Sequence, residues 1–144
     1  DMIKIKIKNE EIKDYLLTKE LYNRCGTHIV SILYLYQDGC PECVKQSIVL
    51  DDLANTYPEI RVYWIDKDLQ TPALDTLMSI LKIKNSPSIV IKDKVYDSFQ
   101  TTSQIESHIP QIAKWKKDAE KKALEKEVNT DFKEDVLKEE PKTQ

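Results

Sequence analysis

The sequence is poor in cysteine and histidine, has no long apolar run, and carries no excess of basic residues. Its 144 residues include three cysteines and two histidines, and the formal net charge is -3. Mixed charges of this kind give no basic surface for a nucleic acid. No apolar run reaches the length of a membrane span, and no signal-peptide pattern is present. So few cysteines, in odd number, also exclude a secreted scaffold held together by disulfides.

Composition and charge indicate one domain with a charged segment attached to it. The chain is 40% hydrophobic and 33% charged, which is enough apolar material for a single core. We expect a domain over residues 1–117 and a charged helical extension over residues 118–144, disordered from about Asn129. The chain begins at Asp1 rather than Met, which leaves open a trimmed or processed piece of a longer protein that is exported or membrane-anchored. We expect a soluble monomer and favour the cytoplasm.

Hydrophobic periodicity predicts a mixed α/β chain with the element order βαβαβαββα. The expected strands cover residues 2–8, 28–36, 60–66, 88–91 and 94–99, the last two joined by a turn at Lys92 and Asp93. The expected helices cover residues 9–23, capped by Asn9, then 44–57 and 73–83, and a last segment with a capping box at Ser103 and Glu106 and a break at Pro110. In the second helix, the expected apolar stripe is Val44, Ile48, Leu50 and Leu53.

The motif Cys-Pro-Glu-Cys at residues 40–43 can be interpreted as half of a metal site. Cys25 and His28, spaced Cys-x-x-His, would complete a Cys₃His set with Cys40 and Cys43. The residues between the two halves form the strongest predicted strand, which would separate them by roughly 25 Å. Zinc holds its ligands at about 2.0–2.3 Å. A shared zinc site is therefore disfavoured.

A redox centre explains more of the surroundings of the motif. The motif follows a buried strand and precedes a helix, which places Cys40 at a helix N-terminus, where free N–H groups and the helix dipole favour a thiolate. Pro41 suits the first helical position, and Gly39 allows a sharp turn that leaves Cys40 exposed. Cys43 lies one turn further along the same face and is expected to be more buried. A purely structural disulfide is disfavoured, because a bridge across two residues constrains little of the unfolded chain.

The chain resembles the thioredoxin family over residues 2–115. The strand–CPEC–helix unit is similar to the family's active site, and RVYWIDKD (residues 61–68) is similar to the strand that follows it. NSPSIVI (residues 85–91) resembles the family's cis-proline loop. The resemblance implies a thioredoxin-like fold with a central mixed sheet flanked by helices. It also implies a redox-active Cys40–Cys43 disulfide and a cis Ser86–Pro87 bond, in a loop that positions the substrate against the sulfurs.

Several positions depart from the family's pattern. The buried acid of thioredoxin falls on Tyr34, and the lysine that pairs with this acid falls on Val62. The Trp before the first cysteine is Gly39, and the segment between Asp66 and Pro87 is longer. The chain is therefore not expected to be the housekeeping electron donor itself. Glu42 places a like charge beside a Cys40 thiolate, so we expect it to raise the pKa of that thiol and make the pair more reducing.

Two classes of function remain open at the level of sequence. In the first, the chain is a thiol–disulfide oxidoreductase in which Cys40 attacks, Cys43 resolves, and no metal or organic cofactor is needed. Its substrates would be protein or small-molecule disulfides, and its partners would be proteins with disulfides and a thiol reductase or oxidase that recycles the pair. In the second, it is a non-catalytic thioredoxin-like module that binds through its C-terminal helix. Both cysteines, the Gly-Cys-Pro entry and the Ser-Pro loop are present, which favours the first.

Overall fold

The structure is a computed structural model that describes the backbone of residues 2–25 and 29–138, and the side chains of residues 9–22, 24 and 29–130. Over these residues the chain forms helices and strands in the order αβαβαββαα. They are α1 (Met2–Cys25), β1 (Val30–Tyr36), α2 (Pro41–Thr56), β2 (Ile60–Asp66), α3 (Pro72–Leu81), β3 (Ser88–Ile91), β4 (Lys94–Tyr96), α4 (Thr102–His108) and α5 (Gln111–Lys138).

The strands form one mixed sheet in the order β2-β1-β3-β4. Strand β1 pairs in parallel with β2 and antiparallel with β3, and β3 pairs antiparallel with β4. A continuous apolar run is typical of a central strand that is covered on both faces, and β1 has this composition. Its residues Ile32, Leu33, Tyr34 and Leu35 have no exposed surface.

The helices cover both faces of this sheet. Successive residues of a strand point to opposite faces, so Leu33 and Leu35 lie on one side and Tyr34 on the other. The first side forms a core with helices α1 and α3, which contribute Ile12, Tyr15, Leu74 and Leu77. On the second side, Tyr34 reaches the backbone of α2. Helix α2 therefore lies on the face opposite α1 and α3.

The turn between β3 and β4 lies where the sequence predicts it. Lys92 and Asp93 both have positive φ, at 48° and 68°. Two such residues are typical of the tight hairpin turn whose twist matches that of the strands. Strand β4 ends at Tyr96, three residues before the predicted end.

The prediction of a strand at residues 2–8 was wrong, because these residues belong to helix α1. Alternating isoleucine and lysine suits a strand only where a neighbouring strand supplies hydrogen bonds, whereas a helix satisfies its backbone internally. Asn9 accordingly lies inside α1 and does not cap it. The mixed α/β class holds, with a helix in the place of the expected first strand.

The C-terminal part of the chain departs from the prediction in its details. The expected break at Pro110 is confirmed, since α4 ends at His108 and α5 begins at Gln111. The capping box lies two residues earlier than expected: Thr101 N–H donates to Gln104 Oε1 at 2.9 Å, and Gln104 N–H to Thr101 Oγ1 at 3.3 Å. Helix α5 continues past residue 117, the expected end of the domain, and past residue 129, where disorder was expected to begin, and it ends at Lys138. The chain forms two compact units that divide between His108 and Ile109.

The arrangement around β1 identifies the fold class. The Cys-x-x-Cys helix follows this central strand directly, and a cis Ser86–Pro87 peptide bond precedes the antiparallel strand β3 beside it. Together with the strand order, this is a thioredoxin-like fold, as the resemblance implies. The cis bond expected from the Ser-Pro loop is confirmed. No helix among the described residues is long and apolar enough to cross a membrane.

Candidate redox site

The site lies where β1 leaves the sheet and α2 begins. Gly39 has φ +70°, a left-handed backbone conformation that is energetically unfavourable for residues with a Cβ atom. A Cβ built on Gly39 would meet no atom within 4 Å, so only the backbone conformation demands glycine here. The residue turns the chain sharply out of β1, and Cys40 follows as the N-cap of α2.

The N-terminus of α2 places donors and a positive potential at Cys40. The Cys40 sulfur accepts a hydrogen bond from the backbone N–H of Cys43 at 3.1 Å. Pro41 occupies the first turn of α2. Backbone N–H groups in a first turn have no acceptor within the helix, so the N–H that proline lacks costs no helical hydrogen bond. In a reduced state, the same N–H and the helix dipole would stabilise a Cys40 thiolate.

Cys40 and Cys43 are joined by a disulfide, with their Cα atoms 5.2 Å apart. The two residues differ in burial. Cys40 is partly exposed, whereas only 4% of the surface of Cys43 is accessible. An incoming thiol or disulfide can therefore reach Cys40 and is shielded from Cys43.

The loop before β3 closes the site on the other side. The Cys40 sulfur lies 3.9 Å from the carbonyl oxygen of Ser86, the residue whose bond to Pro87 is cis. In the disulfide the sulfur has no proton to donate, so this is a contact, and it can become an S–H···O hydrogen bond after reduction. The hydroxyl oxygen of Ser86 is buried and has no hydrogen-bond partner.

Tyr34 stands at the position to which the sequence resemblance assigns the buried acid of thioredoxin. Its hydroxyl donates to the carbonyl oxygen of Cys43 at 2.7 Å and lies 3.3 Å from the hydroxyl oxygen of Ser47. Ser47 donates to the same carbonyl at 2.8 Å. Burial is the main cause that raises the pKa of Tyr34 above its ordinary value. The phenol therefore stays protonated at neutral pH and serves as a donor to the backbone.

Trp64 packs edge-on against the Tyr34 ring, with ring centroids 5.1 Å apart. Trp64 lies on β2 in register with Tyr34. Val62, the other departure from the family's pair, lies in register with Ile32. The sequence already indicates that Tyr34 and Val62 form no acid–lysine pair. In the structure, the Tyr34 ring packs against Trp64 and its hydroxyl donates to the Cys43 carbonyl.

The predicted apolar stripe of α2 was wrong in two of its four positions. Val44 and Ile48 are 62% and 66% exposed. The face that is buried instead carries Cys43, Gln46, Leu50 and Leu53. Helix α2 turns the face that carries Cys43 toward the sheet. In this orientation, the Tyr34 hydroxyl can bond to the Cys43 carbonyl.

Gln46 is a structural residue that the sequence analysis did not identify. It is completely buried, and its side-chain amide pairs with the backbone of Gln100. Gln46 Nε2 donates to Gln100 O at 3.1 Å, and Gln100 N–H donates to Gln46 Oε1 at 2.7 Å. These two hydrogen bonds connect the part of α2 next to Cys43 with Gln100, which lies just before α4. A polar residue three positions after Cys43 was the available signal.

An open cleft of about 410 Å³ lies beside the disulfide. It is lined by the 36–39 loop, by Cys40, Pro41 and Cys43, and by Val44 and Ser47 of α2. Glu42 lies in the first turn and is exposed. Its carboxylate can therefore act on Cys40 only through solvent-screened electrostatics.

The zinc set considered from the sequence lies partly outside the described residues. The side chain of Cys25 and all of His28 lie outside the described part of the chain. Cys40 and Cys43 bond to each other. Where side chains are described, no group of three or more His, Cys, Asp or Glu residues could hold a metal ion.

Solved structures similar to this chain include several thioredoxins. Thioredoxin-2 of the malaria parasite is 22% identical, over 58% of this chain and 82% of its own, with a TM-score of 0.49. Thioredoxin O2 from Arabidopsis thaliana is 20% identical, over 67% and 84%, with a TM-score of 0.47. Desulfothioredoxin from Desulfovibrio vulgaris Hildenborough is 20% identical, over 55% and 77%, with a TM-score of 0.46. No protein-family model matches the chain, and no curated protein matches it.

Proposed function

We propose that the chain is a thiol–disulfide oxidoreductase in which Cys40 and Cys43 alternate between a dithiol and a disulfide. One observation carries the proposal: the disulfide sits at the N-terminus of a helix, with one sulfur accessible and the other buried. Such an asymmetric pair suits exchange, because one thiol attacks and the other completes the reaction within the protein.

In the reducing direction, the Cys40 thiolate attacks one sulfur of a substrate disulfide. The substrate S–S bond breaks, a mixed disulfide forms on Cys40, and the first substrate thiolate leaves and takes a proton from solvent. Cys43 then loses its proton and attacks the Cys40 sulfur. The mixed disulfide breaks, the second substrate thiolate leaves, and the Cys40–Cys43 bond forms. Two electrons pass from the protein to the substrate. The two leaving thiolates take their protons from solvent, which receives the protons that Cys40 and Cys43 lose, and an external dithiol restores the pair.

Ser86 and Pro87 are proposed to position the substrate. The Ser86 carbonyl lies 3.9 Å from the Cys40 sulfur, close enough for a segment bonded to that sulfur to pair with this backbone. Pro87 has no N–H, so this part of the loop offers no competing donor beside the thiolate. Proteins with accessible disulfides are the proposed substrates.

Gly39, Pro41, Glu42 and Tyr34 are proposed to tune the pair. Gly39 and Pro41 shape the entry into α2, and Glu42 disfavours a Cys40 thiolate by like charge. Tyr34 has a raised pKa and bonds to a carbonyl, so it does not take the proton from Cys43. That proton is left to solvent or to Glu42.

Trapping of reaction intermediates tests the proposal. In a Cys25→Ala background, Cys43→Ser should accumulate mixed disulfides on Cys40 when the reduced protein meets a protein disulfide such as insulin. Cys40→Ser is the matched control and should accumulate none. Equal trapping by both variants would contradict the assigned roles. A native protein that neither reduces insulin nor shows a two-electron reduction potential would instead be a redox-inert binding module.

A further inference from the structure

Three apolar side chains form an exposed row on α2 beside the disulfide. Pro41, Val44 and Ile48 are spaced i, i+3 and i+7, which places them on one face of a helix. Pro41 is exposed, and Val44 and Ile48 are 62% and 66% exposed. Val44 also lines the cleft beside Cys40. Single exposed apolar residues are common on protein surfaces, but this row is continuous with the sulfur that a substrate must reach.

The spacing of this row matches that of an extended peptide. A helix rises about 1.5 Å per residue, so Val44 and Ile48 lie roughly 6 and 12 Å along the axis from Cys40. An extended chain rises about 3.3 Å per residue and presents alternate side chains on one face. Its second and fourth residues therefore lie about 6.6 and 13.2 Å from a starting residue. A substrate cysteine bonded to Cys40 would place those two residues over Val44 and Ile48.

We propose that the Val44–Ile48 face selects extended substrate segments with apolar residues two and four positions from the disulfide cysteine. The inference rests on the proposed function, and it names the class of substrate that the same site prefers. The occupant is an extended segment of a protein that has an aliphatic or aromatic residue at the second and fourth positions after its disulfide cysteine, or at the second and fourth positions before it. Contact with this face removes apolar surface of both partners from water, which favours the matched register.

Ile80 provides a matched control for this face. It lies on α3, is 72% exposed, and lines a separate cleft with Leu16 of α1. Helix α3 packs on the face of the sheet opposite α2. Ile80→Ser therefore removes an equally exposed isoleucine from a helix without touching the redox cleft.

Two nonapeptide disulfides of identical composition test the proposal. Both have a central cysteine; one has leucine at positions ±2 and ±4 with serine between, and the other has the leucines and serines exchanged. The readout is the ratio of the rate constants with which the reduced protein reacts with the two peptides. Hydroxyethyl disulfide, which has no residues to match, reports the proposed exchange reaction by itself.

We expect the native protein and Ile80→Ser to react about tenfold faster with the matched peptide, a ratio that corresponds to the partial burial of two aliphatic side chains. Ile48→Ser, which removes one of the two contacts, should lower the ratio to about threefold, and the double variant Val44→Ser/Ile48→Ser should bring it to within about twofold of one. A native ratio near one, or an equal loss in Ile80→Ser, would overturn the inference while leaving exchange with hydroxyethyl disulfide intact. Failure with hydroxyethyl disulfide itself would overturn the proposed function, and with it this inference.

Discussion

The hydroxyl of Tyr34 donates a 2.7 Å hydrogen bond to the carbonyl oxygen of Cys43. The first residue comes from the central strand and the second carries the buried sulfur of the disulfide, so this bond ties the redox helix to the sheet. Ser47 donates to the same oxygen from one turn further along α2. A single carbonyl thus receives two side-chain donors.

Tyr34→Phe should lower the free energy of unfolding by about 1 kcal/mol, the usual net worth of one hydrogen bond. Ser47→Ala should cost less, because Tyr34 still satisfies the carbonyl. The double variant should cost more than the sum of the two, since only there does the oxygen lose both donors. Urea unfolding of the four oxidised proteins measures this coupling. Strict additivity would show that the two donors act independently.

Gln46→Leu should be among the most destabilising changes in α2. It leaves the N–H and C=O of Gln100 without their partners in a residue that is 8% exposed. Each unpaired buried group costs about 1–3 kcal/mol, so we expect a loss of roughly 2–5 kcal/mol. Lys45→Leu, one position earlier and exposed, is the matched control and should change stability by less than about 0.5 kcal/mol. Equal effects of the two changes in urea unfolding would refute the role given to the Gln46 pairing.

Gly39→Ala should destabilise the protein by about 1–2 kcal/mol through backbone strain alone. A Cβ at this position meets no neighbour, and the strain comes from φ +70°. Gly39→Asn should cost less than Gly39→Ala, because asparagine tolerates the left-handed region better. Thermal unfolding of the two variants ranks them. Asparagine costing as much as alanine would mean that the loop changes conformation when the glycine is lost.

Replacing Glu42 by lysine should raise the reduction potential of the pair, because it exchanges a like charge beside the Cys40 thiolate for an attractive one. Glu42 is exposed, so we expect a shift of only about 5–20 mV. High salt should reduce this shift, since the Debye length falls to about 3 Å at 1 M. Redox equilibration with glutathione at low and high salt measures both effects. A shift that survives 1 M salt would argue against solvent-screened electrostatics as its cause.

Tyr15 should make the protein sensitive to alkali. Burial, with a smaller contribution from the Asp93 carboxylate, raises the pKa of Tyr15 to about 12. The unfolded phenol has a pKa of about 10, so stability is unaffected below pH 10 and falls as the pH rises from 10 toward 12. The loss is at most about 3 kcal/mol. Tyr15→Phe should flatten the profile of unfolding free energy between pH 10 and about 12, and an unchanged slope there would contradict the assignment.

Local chemistry was enough to place most of the redox site. A buried apolar run followed by Gly-Cys-Pro leads from a strand into a helix because each residue has a backbone preference of its own. Gly39 takes positive φ, Pro41 suits a first turn, and β1 has too few polar side chains to face solvent. The tight turn at Lys92 and Asp93 was placed in the same way. Resemblance to a family, rather than spacing, supplied the cis bond before Pro87.

Tertiary structure decided what local patterns leave open. Residues 2–8 alternate like a strand, but alternation has no effect unless a neighbouring strand pairs with it, and they form part of α1. On α2, both Val44 with Ile48 and Cys43 with Gln46 have helical spacing, so the sequence alone permits either face to be buried. The face with Cys43 and Gln46 is the buried one because it forms tertiary hydrogen bonds. The Tyr34 hydroxyl donates to the Cys43 carbonyl, and the side-chain amide of Gln46 pairs with the backbone N–H and C=O of Gln100. Burial of a polar residue depends on a partner that is 54 positions away in the chain, and no local pattern contains that information.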